Sequence, residues 1–234
     1  YLKAQQASDA ISSETTGAIT KQCVEALDFY IDRPDLETEY LRRLDFCKNT
    51  VKIVRSEGYD GNPIISDYKS RSGVNGRTRV NVHQGIDIIG SANEKIIAIA
   101  DGKVLEIGTT YCEGPSLVID HGKAFDGKKL ITIYSHIGDA LVKEGDFVER
   151  GSIIAKLPEK IAYPCMARVR HLHLQIGQKY CEKHEKNTWG CDFYIKDLYS
   201  SLNPNKYWAD GENKVTCFDE NKNYAIGYIT YPFI

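Results

Sequence analysis

Residues 171–176 read His-Leu-His-Leu-Gln-Ile, and strict alternation of this kind suits a β-strand with two unlike faces. Side chains two apart on a strand share a face. Leu172, Leu174 and Ile176 would therefore enter a core, while His171, His173 and Gln175 line the opposite side. Two histidines side by side on one sheet face can bind a metal with one ring and keep the other about one side-chain width away for proton transfer. The same pair also suits ordinary half-buried packing. A second cluster, His83-Gln84-Gly85-Ile86-Asp87, adds an imidazole and a carboxylate. Zinc takes nitrogen and oxygen ligands at about 2.0–2.2 Å, and a catalytic zinc has three protein ligands and an open fourth position. His83, Asp87 and one of the two later histidines would complete that set.

A third element lies between them. Leu130-Ile131-Thr132-Ile133-Tyr134-Ser135-His136 is a β-branched, alternating run that ends on a histidine, followed by a turn-like Gly138-Asp139. In the order His-x-x-x-Asp, Tyr-x-His, His-x-His, the chain resembles the lysostaphin/LytM-type zinc metalloendopeptidases, which cut peptide cross-links in bacterial cell walls. The stretches Gly85–Ile88, Ile97–Val104, Val118–Gly122 and Val142–Gly151 support the likeness, which covers roughly residues 64–177, about half of the chain.

The resemblance implies roles residue by residue. His83, Asp87 and His173 would bind Zn2+, and His171 and His136 would be the unligated histidines that handle protons and steady the transition state. His171 is then the general base and His136 the group that stabilises the oxyanion or orients the water, although exchanging those two roles fits the same residues. With all five positions present, the expected function is zinc-dependent endopeptidase hydrolysis of peptidoglycan cross-links, by water activated at zinc. The alternative is a catalytically inactive LytM-like module that binds peptidoglycan or activates an amidase. The implied partners are peptidoglycan stem peptides and, if the protein is an antibacterial toxin rather than a wall-remodelling enzyme, an immunity or regulatory protein seated in the groove. The implied location is periplasmic or secreted. One stretch departs from the family: His171 is approached through Cys165-Met166-Ala167-Arg168-Val169-Arg170 rather than a Gly/Ser-rich turn ending in Pro. That loop is expected to border the cleft, where Cys165 and the two arginines would bear on substrate recognition.

Other chemistries find little support. His121, in Asp120-His121-Gly122, reads as part of a hairpin turn, and His184 lies in a charged stretch. No Gly-x-Ser-x-Gly elbow occurs, and no Cys-x-x-Cys pair marks a zinc knuckle or thioredoxin-like site. With 30 basic and 32 acidic residues among 234 the net charge is −2, so no global attraction to nucleic acid is expected. No apolar run reaches the ~20 residues of a membrane span. The chain begins at Tyr1 without a basic-then-apolar leader, consistent with a targeting segment having been removed. Seven cysteines against one methionine, without metal spacing, point to disulfides in an oxidising compartment. The candidate bridges are Cys23–Cys47 and a pairing among Cys165, Cys181, Cys191 and Cys217, with Cys112 left over.

The expected fold is mainly β: an antiparallel sheet or barrel-sandwich-like metallopeptidase domain over 51–208, an N-terminal helical hairpin over 1–50, and a Cys/Tyr-rich C-terminal extension over 209–234. The helices follow from apolar spacing at Ile19, Cys23, Leu27 and Ile31, and again at Leu36, Tyr40, Leu44 and Cys47 after a break at Pro34. Residues 97–107 and 142–157 also read like the halves of a biotin- or lipoyl-carrier domain. The turn between strands there is Glu144-Gly145-Asp146, without the exposed lysine that a carrier modifies, and a carrier would leave the histidines unexplained. In the tail, Tyr207, Trp208, Tyr224, Tyr228 and Tyr231 suit either a glycan- or peptide-binding surface or half-buried packing.

Overall fold

Apolar residues at alternate positions build one large antiparallel sheet. The computed structural model describes residues 52–56, 59–71, 73–74, 78–181 and 200–234. The expected helical hairpin over 1–50, its Cys23–Cys47 bridge and His184 lie outside the described residues. Strands β1 (Lys52–Ser56), β2 (Tyr59–Ser66), β3 (Ile86–Ile89), β5 (Gly102–Thr110), β6 (Gly114–Lys123), β7 (Lys129–Ser135), β8 (Phe147–Val148) and β10 (His171–Gly177) pair in the order β1-β2-β3-β10-β7-β6-β5-β8. A short β11 (Ser201–Leu202) pairs with β10, and β4 (Lys95–Ile97) with β9 (Ile153–Lys156) forms a separate ribbon. No helix among the described residues is long and apolar enough to cross a membrane.

The alternation in β10 is realised as read. Leu172, Leu174 and Ile176 have no exposed surface and pack with Ile86 and Ile88 of β3, Leu117 and Ile119 of β6 and Tyr134 of β7. Complete burial of each such side chain is worth about 1.5–3 kcal/mol, so slipping β10 by one residue, which would bring its histidines into this core, is strongly opposed. The chain after β11 closes the same core: Trp208, Ile229, Tyr231 and Phe233 belong to it. Of the five tail aromatics, Tyr207, Trp208 and Tyr231 are therefore packing residues.

Two local readings change. His121 lies on β6 rather than in a hairpin turn, because that strand runs on to Lys123 before the chain reverses. Cys112 is not left over: it bonds Cys165, with their Cα atoms 4.9 Å apart, and ties the β5–β6 turn to the loop that leads into β10. This pairing crosses between segments distant in sequence, so spacing alone does not reveal it. Cys181 is disulfide-bonded as well.

Candidate metal centre

The centre of the sheet presents a transverse row of polar side chains. His173 on β10 lies opposite Asp87 on β3 and opposite Ser135 on β7; Ser135 in turn pairs with Ser116, and Asp87 with Ser66. Because facing residues in an antiparallel pair share a sheet face, the register alone brings the late histidine to the early aspartate. His83 reaches the same point from the segment before β3. That approach needs Gly85, where a Cβ would collide with the carbonyl of Leu174.

His83, Asp87 and His173 each offer a ligand atom, and these atoms all lie within 4.8 Å of one another. Asp87 Oδ1 is 2.8 Å from His173 Nδ1 and 3.0 Å from His83 Nε2, and the two nitrogens are 3.1 Å apart. A tetrahedral ion with bonds near 2.0–2.1 Å would hold its ligands about 3.3 Å apart, close to this triangle. The outer atoms of all three groups are engaged elsewhere. His83 Nδ1 donates to the carbonyl of Asp67 at 3.0 Å, His173 Nε2 faces Gln175 Oε1 at 3.4 Å, and Asp87 Oδ2 accepts from Arg79 Nη2 at 2.7 Å. Each lone pair that remains points inward. Two imidazole lone pairs and a carboxylate oxygen converging without a donor between them fit a cation, and the outer partners are the kind that orient metal ligands.

Two further histidines flank this set. His171, two residues before His173, donates from Nδ1 to the carbonyl of Val169 at 2.8 Å and turns Nε2 to within 3.7 Å of Asp87 Oδ1. His136 follows β7 in a left-handed conformation, φ 63°, and donates from Nδ1 to the carbonyl of Glu113 at 2.8 Å. The His136 and His171 rings meet edge to face, 4.7 Å between centroids. All five sequence-predicted residues thus share one cleft.

Residues 81–186 match the family model described as peptidase family M23. The match covers a little under half of the chain. Solved structures similar to it include lysostaphin from Staphylococcus simulans, 23% identical over 52% of this chain and 42% of that one, with a TM-score of 0.37. LytU is 20% identical over 68% of this chain and 93% of that one, TM-score 0.46. The catalytic domain of the prophage-encoded M23 protein EnpA from Enterococcus faecalis is 21% identical over 54% and 81%, TM-score 0.39. This chain spans less than half of the lysostaphin chain it matches. No curated protein sequence matches it.

Burial sets the electrostatics of the cleft. It pushes His171 down to about 3 and His136 down to about 4, so both rings are neutral near pH 7 with Nε2 lone pairs available. Burial alone would raise Asp87, but the imidazoles of His83, His171 and His173 around it hold it well below the usual carboxylate range. His173 is the reverse case: burial lowers it, yet the Asp87 carboxylate raises it overall.

Sequence reasoning missed two residues of the cleft. Arg79, four residues ahead of His83, makes the ion pair with Asp87. Glu113, only 8% exposed, lines the cleft with its carboxyl oxygen 3.5 Å from His136 Nε2. Neither belongs to a periodic pattern; a buried acid beside a cysteine in a hairpin turn is the only sequence signal Glu113 gives. In the loop before β10 the expectation holds in one respect and changes in another. Cys165 lines the cleft, but Arg170 turns away to the carbonyls of Pro158 and Glu159, and neither it nor exposed Arg168 lines the cleft.

Proposed function

We propose that this protein is a zinc-dependent endopeptidase that hydrolyses peptide cross-links of bacterial peptidoglycan outside the cytoplasm. The observation that carries the reading is the convergence of one carboxylate and two imidazoles with their outer atoms tied, flanked by two histidines whose Nδ1–H groups are fixed and whose Nε2 atoms face the same cleft. His83 through Nε2, Asp87 through Oδ1 and His173 through Nδ1 would hold the ion. When bound, zinc supplies Lewis-acid polarisation and a water whose pKa falls from 15.7 to about 7.

The remaining steps belong to the chain's own side chains. His171, neutral and fixed by Val169, accepts a proton at Nε2 and returns it to the leaving amine. His136, held through Nδ1 by the Glu113 carbonyl, presents Nε2 as an acceptor that orients the attacking water. Asp87 holds the proton-accepting ring by charge and is itself kept ionised by its surroundings. The Cys112–Cys165 bridge beside the cleft suits an oxidising, extracytoplasmic compartment.

The test is digestion of purified cross-linked muropeptides by the wild type and by His171→Ala, with zinc measured on both samples. Expected are about one zinc per chain in each, cleavage of cross-linked dimers by the wild type, and a loss of about 10²- to 10⁴-fold in the variant. Zinc-loaded wild type that leaves every cross-link intact would replace this reading with a peptidoglycan-binding or amidase-activating module.

A further inference from the structure

Glu113 is the acid in the cleft that the proposed chemistry does not use. Asp87, the other carboxylate lining it, is committed to Arg79, His83 and His173. Glu113 is more than nine-tenths buried, and among the described residues no lysine or arginine reaches its carboxylate at ion-pair distance. Its nearest partner is His136, at 3.5 Å; burial raises the Glu113 pKa, and His173, His171 and Arg79 across the cleft offset this only in part. A carboxylate buried this far needs a cation or donors to offset its lost hydration, and a side chain lining a substrate cleft can receive them from the substrate.

The backbone that carries this side chain is held in place. The Glu113 amide donates to Thr110 Oγ1 at 3.0 Å, and its carbonyl accepts from His136 Nδ1. The preceding residue is fixed by the Cys112–Cys165 disulfide and by a 2.9 Å hydrogen bond from the Cys165 amide to the Cys112 carbonyl. The following residue, Gly114, has φ 71° and lies under the ring of Tyr163, where a Cβ would collide. A carboxyl carried on a backbone anchored on three sides, beside a proposed catalytic histidine, is preorganised for recognition.

We propose that Glu113 is a specificity-determining residue that accepts hydrogen bonds from a free ammonium group on the substrate, carried by a residue flanking the scissile peptide bond. This rests on the endopeptidase reading of the cleft and names its substrate class: cross-links with a free amine beside the cut, in preference to neutral ones. The ammonium supplies the missing positive charge and makes a charge-assisted hydrogen bond of the stronger kind.

The experiment compares cross-linked muropeptide dimers in native form and after acetylation of their free amines, using zinc-loaded wild type and Glu113→Gln. The substitution is isosteric and spares the backbone carbonyl that holds His136. Expected is a fall in wild-type kcat/KM of about 10- to 100-fold on acetylation, and equal rates on both forms, within about twofold, for the variant. Calorimetric binding of the same two dimers to His171→Ala and to His171→Ala/Glu113→Gln gives a readout independent of hydrolysis. Native dimer should bind the first more tightly than acetylated dimer, and the second should not distinguish them. Amine-dependent binding without cleavage would sink the endopeptidase reading and leave the Glu113 site standing. An acetylation effect that is absent, or is the same with Glu and Gln at position 113, overturns the assignment.

Discussion

His173 Nδ1 lies 2.8 Å from Asp87 Oδ1, and the two residues are direct cross-strand partners on β10 and β3. The contact is thus a consequence of sheet register, and the strands keep it whether or not either side chain is present. Replacing Asp87 with Asn removes the charge without changing the volume. The expected outcome is an intact fold by circular dichroism with zinc content falling from about one per chain to below a tenth, because a neutral amide oxygen is a far weaker zinc ligand than a carboxylate. Zinc at full stoichiometry in Asp87→Asn would remove this residue from the centre.

Arg79 acts one step further out. Its Nη2 holds Asp87 Oδ2, leaving Oδ1 to face the histidines. The guanidinium is 29% exposed but the carboxylate it holds only 2%, so the pair both orients Asp87 and offsets the burial of its charge. Arg79→Ala should weaken zinc affinity by about 10- to 100-fold, the usual consequence of losing a group that orients a ligand, and should also lower the unfolding free energy of the zinc-free protein, because a buried carboxylate loses its arginine. Competition with a chelator of known affinity measures the first, urea unfolding the second. Unchanged affinity would show that Asp87 keeps its geometry without the arginine.

Stability of the zinc-free protein should fall on the acid side of neutrality. Burial depresses His171 to about 3 and both His136 and His121 to about 4. Unfolded, each returns to about 6.5, so as pH drops the unfolded chain takes up protons first. The stabilising contribution is fully present above about pH 6.5 and is lost as pH falls through the folded values. His173, raised by Asp87, works in the opposite sense and is outnumbered. At pH 5 the fully buried His136 and His171 would each account for up to about 2 kcal/mol, at 1.36 kcal/mol per pH unit. Urea midpoints of chelator-treated protein at pH 7.5, 6 and 5 should therefore decline stepwise, and a flat series would contradict the neutral state of these rings.

Much of the centre was legible because it rests on two local periodicities. The alternation at 171–176 fixes which face the histidines take, and the His-x-x-x-Asp spacing brings a second imidazole to the start of the neighbouring strand. The strand order in which β10 falls between β3 and β7 is a non-local choice, and no single segment encodes it. The same holds for Arg79, Glu113 and the Cys112–Cys165 bridge, which gain meaning only from what lies across the cleft. The tail was ambiguous for another reason: aromatic content does not distinguish a platform from packing, and burial of Tyr207, Trp208 and Tyr231 settled the question for those three.

The bridge offers the last prediction. Cys112 and Cys165 are 53 residues apart in sequence, and closing a loop of that length in the unfolded chain is worth at most about 4 kcal/mol. Cys112→Ser/Cys165→Ser should lower the unfolding free energy by about 2–4 kcal/mol, read from denaturant midpoints under non-reducing conditions. The effect on the cleft should be local. Glu113 follows Cys112, and the loop leading to His171 contains Cys165, so both lose one anchor, while the candidate metal triangle of His83, Asp87 and His173 retains its own. Zinc content should stay near one per chain while hydrolysis of cross-linked dimers falls several-fold. Loss of zinc in the double variant would instead mean that the bridge holds the whole centre together, rather than only its substrate-facing wall.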